Sequence, residues 1–339
     1  MADQLLSSES SQSNISTVNP EPTSLVFSLS QVIEITAYSV LFLFGFCTNS
    51  LSLFKLSRER LAKQDKSRMT LLLIHLSVAD LIVILFQLPE VWSLRGVWKA
   101  DDVTCRITSF FQIFGFFISG FVMMVISVDR LWAIIFPLSH HANASPRRTR
   151  IMLALAWLLA LVCSIPQIFM YWLKTYPHME HRKCTRSGFF EENNPDHMEL
   201  LFVVYFFTLT WCLPVITMVG CHTTMVVHLY RRSKTMLGGV GVVLKAKVQT
   251  VKLTSVLVIG FIICSTPYNA SIFWWCIGQA RLSVGKNDVL WNFVENFAFV
   301  NNCLNPLFYV MVGKNTSPTP TRASTPTPAR AYRRKSSAF

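Results

Sequence analysis

Long apolar runs separated by short polar segments dominate this sequence. The runs cover about residues 32–54, 70–92, 106–135, 151–173, 199–229, 250–278 and 289–312. Each is long enough to cross a hydrocarbon core as a helix, which takes about 20 residues. The runs are continuously apolar rather than alternating, and this excludes a β-barrel. The pattern predicts an all-α membrane protein built as a bundle of seven transmembrane helices.

The third run fixes the depth of the bundle. Between Arg106 and Asp129 the chain carries no charge. Arg130 lies 25 residues after Cys105 (130 − 105), which is roughly 38 Å at the rise of an α-helix. The run therefore places Cys105 at one water interface and the Asp129–Arg130 pair at the other.

The distribution of basic residues predicts the topology. Residues 1–30 contain no Lys or Arg, whereas residues 58–68 contain five in eleven. Cytoplasmic loops are enriched in basic residues, so the N-terminus is predicted outside and, after seven crossings, the C-terminus inside. The other predicted inner loops carry Arg147, Arg148, Arg150, Arg231, Arg232, Lys234, Lys245 and Lys247.

Three regions follow from this topology. Residues 1–30 are predicted to be a disordered extracellular tail, with a glycosylation sequon at Asn14. Residues 31–313 form the seven-helix domain, and residues 314–339 a disordered cytoplasmic tail rich in Ser, Thr and Pro. Hydroxyls beside basic residues in that tail are candidate phosphorylation sites. The alternative is a solvated tail without a regulatory role.

Composition and charge fit a membrane solvent. The chain is 52% apolar and only 14% charged, against about 25% charged in a soluble domain. The net charge of +13 could suggest a nucleic-acid partner, but the basic residues lie in short loops rather than along one face. We therefore expect the lipid bilayer as a partner and no nucleic acid.

Nine cysteines occur in the chain, and seven of them lie in apolar runs. Only Cys105 and Cys184 fall in polar contexts. Because disulfides persist on the outer side of the membrane, we predict that these two are bonded there. His178, His181 and Cys184 could together bind zinc, but no fourth ligand is nearby and the disulfide is the better use of Cys184.

Several polar side chains interrupt the apolar runs. Asp80 lies in the middle of the second run, Asn49 in the first and Ser119 in the third, and the seventh holds Asn301 and Asn305. An ionisable group in hydrocarbon costs about 3 kcal/mol or more, so such residues are functional candidates. We predict that they form one buried network.

These residues and several motifs resemble those of rhodopsin-class G-protein-coupled receptors over about residues 32–312. The matching features are Asn49, the LSVAD stretch ending at Asp80, Asp129-Arg130-Leu131, Trp157 with Pro166, Pro214, and the NPxxY motif of Asn305, Pro306 and Tyr309. The resemblance implies a receptor that signals through helix motion to a heterotrimeric G protein, with arrestin and receptor kinases as further partners.

The resemblance also implies roles for individual residues. Asp80, Ser119, Asn301 and Asn305 would line an allosteric sodium site that favours the inactive state, with a hydrated network lacking an ion as the alternative. No other cofactor is expected. Arg130 would be released from Asp129 to admit the G protein, with a snorkelling interfacial arginine as the alternative. The remaining activation residues would be Phe261, Pro267, Asn305, Pro306 and Tyr309.

Two positions depart from the receptor pattern. The usual CWxP of the sixth helix reads Cys264-Ser265-Thr266-Pro267, so the switch tryptophan is absent. His222 stands where many relatives have a tyrosine. We hypothesise that basal activity is reduced or that the signal passes through Phe261 instead.

The ligand class can be narrowed from two positions. No lysine occurs in residues 294–300, which excludes the retinal Schiff base of opsins. Gln112 stands where monoamine receptors have an aspartate. A neutral amide donates and accepts hydrogen bonds, so Gln112 suits the amides of a peptide better than an ammonium group.

A closer resemblance is to the gonadotropin-releasing-hormone and adipokinetic-hormone receptors, and more distantly to the vasopressin/oxytocin group. It is carried by residues 105–130, the PQxF of 166–169, Pro267-Tyr268, Trp98 and Trp274-Trp275. It implies a plasma-membrane receptor for a peptide hormone or neuropeptide, coupled to a calcium-mobilising G protein. The implied ligand contacts are Glu90, Gln112, Gln167, Tyr268, Phe273, Trp274 and Trp275, although the two tryptophans could instead belong to an interfacial belt.

No phosphate-binding glycine loop or hydrolase motif occurs in the sequence, so we do not expect an enzyme. Two other functions stay open. One is a transporter or channel built from seven helices, although the sequence has no evident inverted repeat. The other is a receptor-fold protein whose signalling is weakened by Ser265 and His222.

Overall fold

The computed structural model describes residues 29–62, 68–94, 100–136, 144–175, 182–186, 195–235, 241–282 and 297–307. The helices are α1 (Leu29–Ala62), α2 (Arg68–Leu94), α3 (Asp102–Ile135), α4 (Ala144–Met170), α6 (Gly241–Leu282) and α7 (297–307). Helix α5 consists of three contiguous pieces, the α-helix Pro195–Phe207, a π-helical turn Thr208–Cys212 and the α-helix Leu213–Thr235.

Within these described residues, α1 to α6 are each long and apolar enough to cross a bilayer. The seventh apolar run, 289–312, is described only over 297–307, and this part is helical. The prediction of a helical membrane bundle is confirmed. Asn14 and Tyr309 lie outside the described residues, as do both predicted tails, apart from residues 29 and 30.

The bundle exposes apolar side chains on its outer surface and buries several polar side chains in its interior. Leu158 and Phe169 of α4 are 58% and 62% exposed, as expected for a surface that faces lipid. Asn49, Asp80 and Asn305 have no exposure at all. Because lipid offers no hydrogen bonds, polar groups must find their partners within the protein.

Helix α3 lies at the centre of the bundle. Along the chain its buried side chains include Phe114, Phe117, Ile118 and Phe121. They belong to one apolar core with residues from α2, α4, α5 and α6, namely Leu72, Leu76, Ala156, Ala160, Met218, Leu257 and Phe261. The third apolar run of the sequence therefore becomes the scaffold on which the other helices pack.

Two helices contain an internal proline, and local hydrogen bonds explain how the helices tolerate buried hydroxyl residues. Pro166 lies inside α4 and Pro267 inside α6. The hydroxyls of Ser109, Ser127 and Ser164 each donate to the carbonyl four residues earlier. Such bonds satisfy polar groups within one helix, so the helix can be buried in hydrocarbon.

A short hairpin follows α4 directly. Strand β1 (Tyr171–Thr175) pairs antiparallel with β2 (Arg182–Arg186), and Leu173 lies opposite Cys184. The Cys105–Cys184 disulfide joins β2 to the first turn of α3, with 5.6 Å between the two Cα atoms. The predicted disulfide is thus confirmed.

Helices α2 and α3 approach each other closely at Gly115. A Cβ atom there would lie 2.9 Å from both the backbone nitrogen and Cγ2 of Val83. Because backbone cannot rotate away as a side chain can, any larger residue must separate the two helices. Gly220 of α5 is a matched control, since nothing lies within 4 Å of a Cβ built at that position.

We expect Gly115→Ala to destabilise the protein by roughly 1–3 kcal/mol, the usual cost of overpacking a core. Gly220→Ala should be neutral or stabilise it by up to about 1 kcal/mol, because alanine favours helix. Thermal unfolding of the purified variants in detergent measures both effects. Equal stabilities of the two variants would contradict the close approach of α2 and α3.

Candidate functional site

The hairpin end of α3 is held by charges as well as by the disulfide. Asp102 accepts hydrogen bonds from the backbone N–H of Leu173 in β1 and from Nε of Arg106, both at 2.7 Å. Arg106 also donates to the carbonyl of Ile168 near the end of α4, at 3.0 Å. These contacts fix the hairpin and the end of α4 against α3.

Asp101 begins α3 as its N-cap. Its carboxylate accepts hydrogen bonds from the backbone N–H of Thr104, at 3.1 Å, and from the Thr104 hydroxyl. Both bonds favour the ionised form and hold the pKa of Asp101 below its usual value. The cap explains why the helix starts immediately before the disulfide.

Of the predicted ligand contacts, Gln112 and Gln167 are both buried in the bundle. Gln112 on α3 donates from Nε2 to Oε1 of Gln87 on α2, at 3.1 Å. Oε1 of Gln167 on α4 is buried without a hydrogen-bond partner among the described residues. Gln87 escaped the sequence analysis, although few other polar residues occur in the second run.

The predicted aromatic wall is described in part. Tyr268 and Phe273 of α6 are half-buried, and the Phe273 ring stacks on Phe207 of α5 with centroids 5.0 Å apart. The side chains of Glu90, Trp274 and Trp275 lie outside the described part of the structure.

The middle of the bundle contains a buried polar network around Asp80. Its Oδ1 accepts from the hydroxyl of Ser119 on α3 at 2.8 Å, and its Oδ2 accepts from Nδ2 of Asn305 on α7 at 2.9 Å. The structure thus brings together three of the four residues predicted to hold sodium, from three helices. All three are buried.

Asn302 belongs to the same network and was missed by the sequence analysis. Its Oδ1 lies 3.1 Å from the Ser119 hydroxyl, and its backbone carbonyl accepts from Nδ2 of Asn49 on α1 at 3.0 Å. Asn302 therefore joins α1, α3 and α7, and with Asp80 of α2 the network connects four helices. The signal was present in the sequence, because Asn301, Asn302 and Asn305 recur within little more than one turn of an apolar run.

The network contains oxygen atoms of the kind that bind small hard cations. Oδ1 of Asn301 and Oδ1 of Asn305 are buried without a hydrogen-bond partner among the described residues. The Asp80 carboxylate and the Ser119 hydroxyl add further oxygens and one negative charge, and oxygen ligands are the type that hard cations prefer. The described residues contain no cluster of three or more His, Cys, Asp or Glu.

A partly open cavity with about 390 Å³ of space not filled by atoms adjoins this network. Ser119, Asn301 and Asn302 line one part of it. Phe261 and Ser265 of α6 line another part. The cavity therefore touches the position where the switch tryptophan is replaced by Ser265.

Two side-chain hydrogen bonds join α5 to α6 beside the cavity. Nε1 of Trp211 donates to the hydroxyl of Thr266 at 3.0 Å, and the hydroxyl of Thr210 donates to Oδ1 of Asn269 at 2.9 Å. Both donors lie on the π-helical turn of α5. Such turns rotate the residues that follow and are frequent at functional sites.

A second buried carboxylate lies at the opposite end of α3 from the disulfide. Asp129 has no exposure. It accepts from Nη2 of Arg130 at 2.6 Å, from Nη1 of Arg68 on α2 at 3.3 Å and from the hydroxyl of Thr149 on α4 at 2.8 Å. The Arg130 contact was predicted from the sequence, whereas the contacts with Arg68 and Thr149 were not.

Apolar packing near this end brings α3, α5 and α6 together. Ile134 of α3 clusters with Met225 and Leu229 of α5 and Val251 of α6. Nearby, Nδ1 of His222 lies 2.8 Å from the Met218 carbonyl of its own helix, and its Nε2 is buried without a hydrogen-bond partner among the described residues. His222 is thus bonded within α5.

The sequence of the chain also matches that of a known family. The sequence model of the "7 transmembrane receptor (rhodopsin family)" matches residues 36–309, which is most of the chain. The protein therefore belongs to the rhodopsin family of seven-transmembrane receptors. Members of this family are multi-pass membrane proteins and receptors rather than enzymes.

Within this family, the chain is similar to several receptors for gonadotropin-releasing hormone. The chain is 29% identical over 288 residues to a gonadotropin-releasing hormone II receptor of Clarias gariepinus, covering 81% of this chain and 74% of the relative. It is also 29% identical over 324 residues to a gonadotropin-releasing hormone receptor of Bos mutus grunniens, covering 89% and 97%. The corresponding receptor of Mus musculus is 28% identical over 294 residues, covering 82% and 88%.

The bond between Trp211 and Thr266 can be tested by a double-mutant cycle. Thr266→Val leaves the indole N–H without its acceptor, which should cost roughly 1–3 kcal/mol of stability. Adding Trp211→Phe removes that donor, so the double variant should lose less stability than the sum of the two single losses. Thermal unfolding in detergent measures all four proteins, and strictly additive effects would contradict the bond.

Proposed function

We propose that the protein is a plasma-membrane receptor for a peptide hormone or neuropeptide of the gonadotropin-releasing-hormone type. The observation that carries this proposal is the likeness to gonadotropin-releasing hormone receptors, which reaches 89% of the chain and 97% of one relative. Its N-terminus faces outward, and it couples to a heterotrimeric, calcium-mobilising G protein. Arrestin and receptor kinases would act on the inner face and the C-terminal tail.

The geometry supports a peptide rather than a small cationic ligand. Gln112 and Gln87 form a neutral amide pair, and Gln167 has a buried acceptor available. Neutral amides both donate and accept hydrogen bonds, which suits the backbone and the blocked ends of a peptide. The ligand site would include Glu90, Gln112, Gln167, Tyr268, Phe273, Trp274 and Trp275.

Two contacts at the inner end of the bundle support the proposal that the signal is transmitted by helix motion. The Arg130–Asp129 ion pair holds the G-protein-coupling arginine in place, and the apolar cluster around Ile134 packs α6 against α3. In our proposal, release of this pair and movement of α6 admit the G protein. Phe261, beside the cavity at Ser265, passes the signal between the ligand and this end together with Pro267, Asn305, Pro306 and Tyr309.

The Asp80 network would bind sodium in the inactive state. Asp80 supplies the charge, and Ser119, Asn301 and Asn305 supply neutral oxygens. A bound cation would hold α2, α3 and α7 together, so it would oppose the rearrangement that accompanies hormone binding.

The ligand class can be tested in cells that express the full chain. We expect amidated peptides of the gonadotropin-releasing-hormone and adipokinetic-hormone types to raise cytosolic calcium, and Gln112→Leu to weaken the response at equal surface expression. Tyr230→Phe, on an exposed position of α5, is the control substitution.

Three other outcomes have distinct meanings. Substrate flux without nucleotide exchange on a G protein would favour the carrier alternative. Peptide binding without nucleotide exchange would favour a receptor with weakened signalling. An unchanged basal and peptide-driven signal in Ser265→Trp would contradict the hypothesis that loss of the switch tryptophan alters transmission.

Sodium binding predicts an ion-specific effect on peptide affinity. Replacing choline by sodium at constant ionic strength should lower the affinity of the wild type for the activating peptide. Asp80→Asn should abolish this difference, because the network then lacks its negative charge. Asp101→Asn, which keeps an N-cap outside the network, should retain it. Radioligand binding to membranes measures the affinities, and a sodium effect that persists in Asp80→Asn would refute the site.

A further inference from the structure

The two oxygens of the Asp129 carboxylate have different partners. Oδ2 accepts from Arg130 at 2.6 Å. Oδ1 accepts from Arg68 at 3.3 Å and from Thr149 at 2.8 Å. Departure of Arg130 would therefore leave the contacts of Oδ1 in place.

Burial makes those remaining contacts important. Asp129 has no exposure, and the Arg68 side chain is only 8% exposed. A buried carboxylate that loses its counter-ion is strongly unfavourable, because neither water nor another charge compensates it. If Arg130 were its sole cation, releasing Arg130 would carry that full penalty.

Two of the three described side chains bonded to Asp129 come from helices other than α3. Arg68 is the first residue of α2, and Thr149 lies near the start of α4. Their bonds to Asp129 therefore join α2 and α4 to α3, and neither bond involves α6. Motion of α6 therefore does not by itself withdraw Arg68 from Asp129.

We propose that Arg68 is a positioning residue for signalling that neutralises Asp129 once Arg130 has been released. Arg68 thereby stabilises the open inner end relative to the closed one. This inference rests on the proposed function, because it concerns the release of Arg130 toward a G protein. A snorkelling role is a poor explanation for Arg68, since its side chain is buried rather than extended to water.

The proposed role of Arg68 predicts the direction in which Arg68→Met changes the opening of the inner end. A salt bridge with only a structural role would not predict this direction. Arg68→Met should disfavour opening, because among the described residues Arg130 is then the only cation bonded to Asp129. Arg68→Lys keeps the charge and should behave almost as the wild type. In an Asp129→Asn background no buried carboxylate remains to be neutralised, so Arg68→Met should have little further effect on opening.

The test uses full-length receptor in lipid nanodiscs with two spin labels, at Ile151 on α4 and Val248 on α6, both exposed. The labels are attached through genetically encoded azido residues, because the exposed Cys47 would also react with thiol reagents. Pulsed electron resonance measures the distance between α4 and α6. The open fraction is followed as a nucleotide-free, calcium-mobilising heterotrimer is titrated in.

We expect Arg68→Met to raise the heterotrimer concentration at half-opening by at least about threefold, within the range of coupling between contacting residues. Arg68→Lys should stay within about twofold of the wild type, and Arg68→Met should change the midpoint of Asp129→Asn by less than about twofold. Thermal unfolding of each variant checks that it is folded.

Two results would overturn the inference while leaving the receptor function intact. One is easier opening in Arg68→Met, which would make Arg68 part of the closed latch. The other is an equal effect of Arg68→Met in both backgrounds, which would mean that it does not act through Asp129. If the heterotrimer opens no variant, Asp129→Asn included, then both the proposed coupling and the inference are wrong.

Discussion

The absence of water in a bilayer core is the constraint on which this structure depends. A buried polar group that finds no partner in the protein is costly, and charged groups carry the largest penalty. Helix α3 meets this requirement at three depths, through Asp102 at one end, Ser119 with Asp80 in the middle and Asp129 at the other end. Each depth recruits side chains or backbone from neighbouring elements.

The contacts between the helices are of two types, polar and apolar, and different pairs of helices use different types. The polar contacts described above join α3 to the hairpin, α2, α4 and α7, and they join α6 to α5. Helix α3 meets α5 and α6 through apolar clusters, such as that of Ile134 with Met225 and Val251. Apolar contact is non-directional, whereas a hydrogen bond requires a defined distance and angle.

The sequence was most informative where a single helix determines the answer. Apolar length predicted the spanning helices, and depth along one helix placed Cys105 and Asp129 at opposite ends. The hydrogen-bond partners of buried side chains were harder to predict, because they depend on how the helices rotate and slide against one another. Arg68 was counted only as a loop charge, although it begins α2 and is buried. Asn302, Gln87 and the Trp211–Thr266 bond were missed for the same reason.

The division by contact type gives the bundle a rigid part and a part that can slide. Directional bonds at three depths fix α2, α3 and α4 to one another and to the hairpin, so a shift among them would break several bonds at once. A shift of α6 against α3 instead exchanges one apolar contact for another, which costs little while the area stays covered. Because the π-helical turn bonds α5 to α6, the two helices would move as a pair. Asp129 and Arg130 both lie on α3, so the release of Arg130 would be a side-chain movement within the rigid part, and the bonds of Asp129 to Arg68 and Thr149 would stay in place.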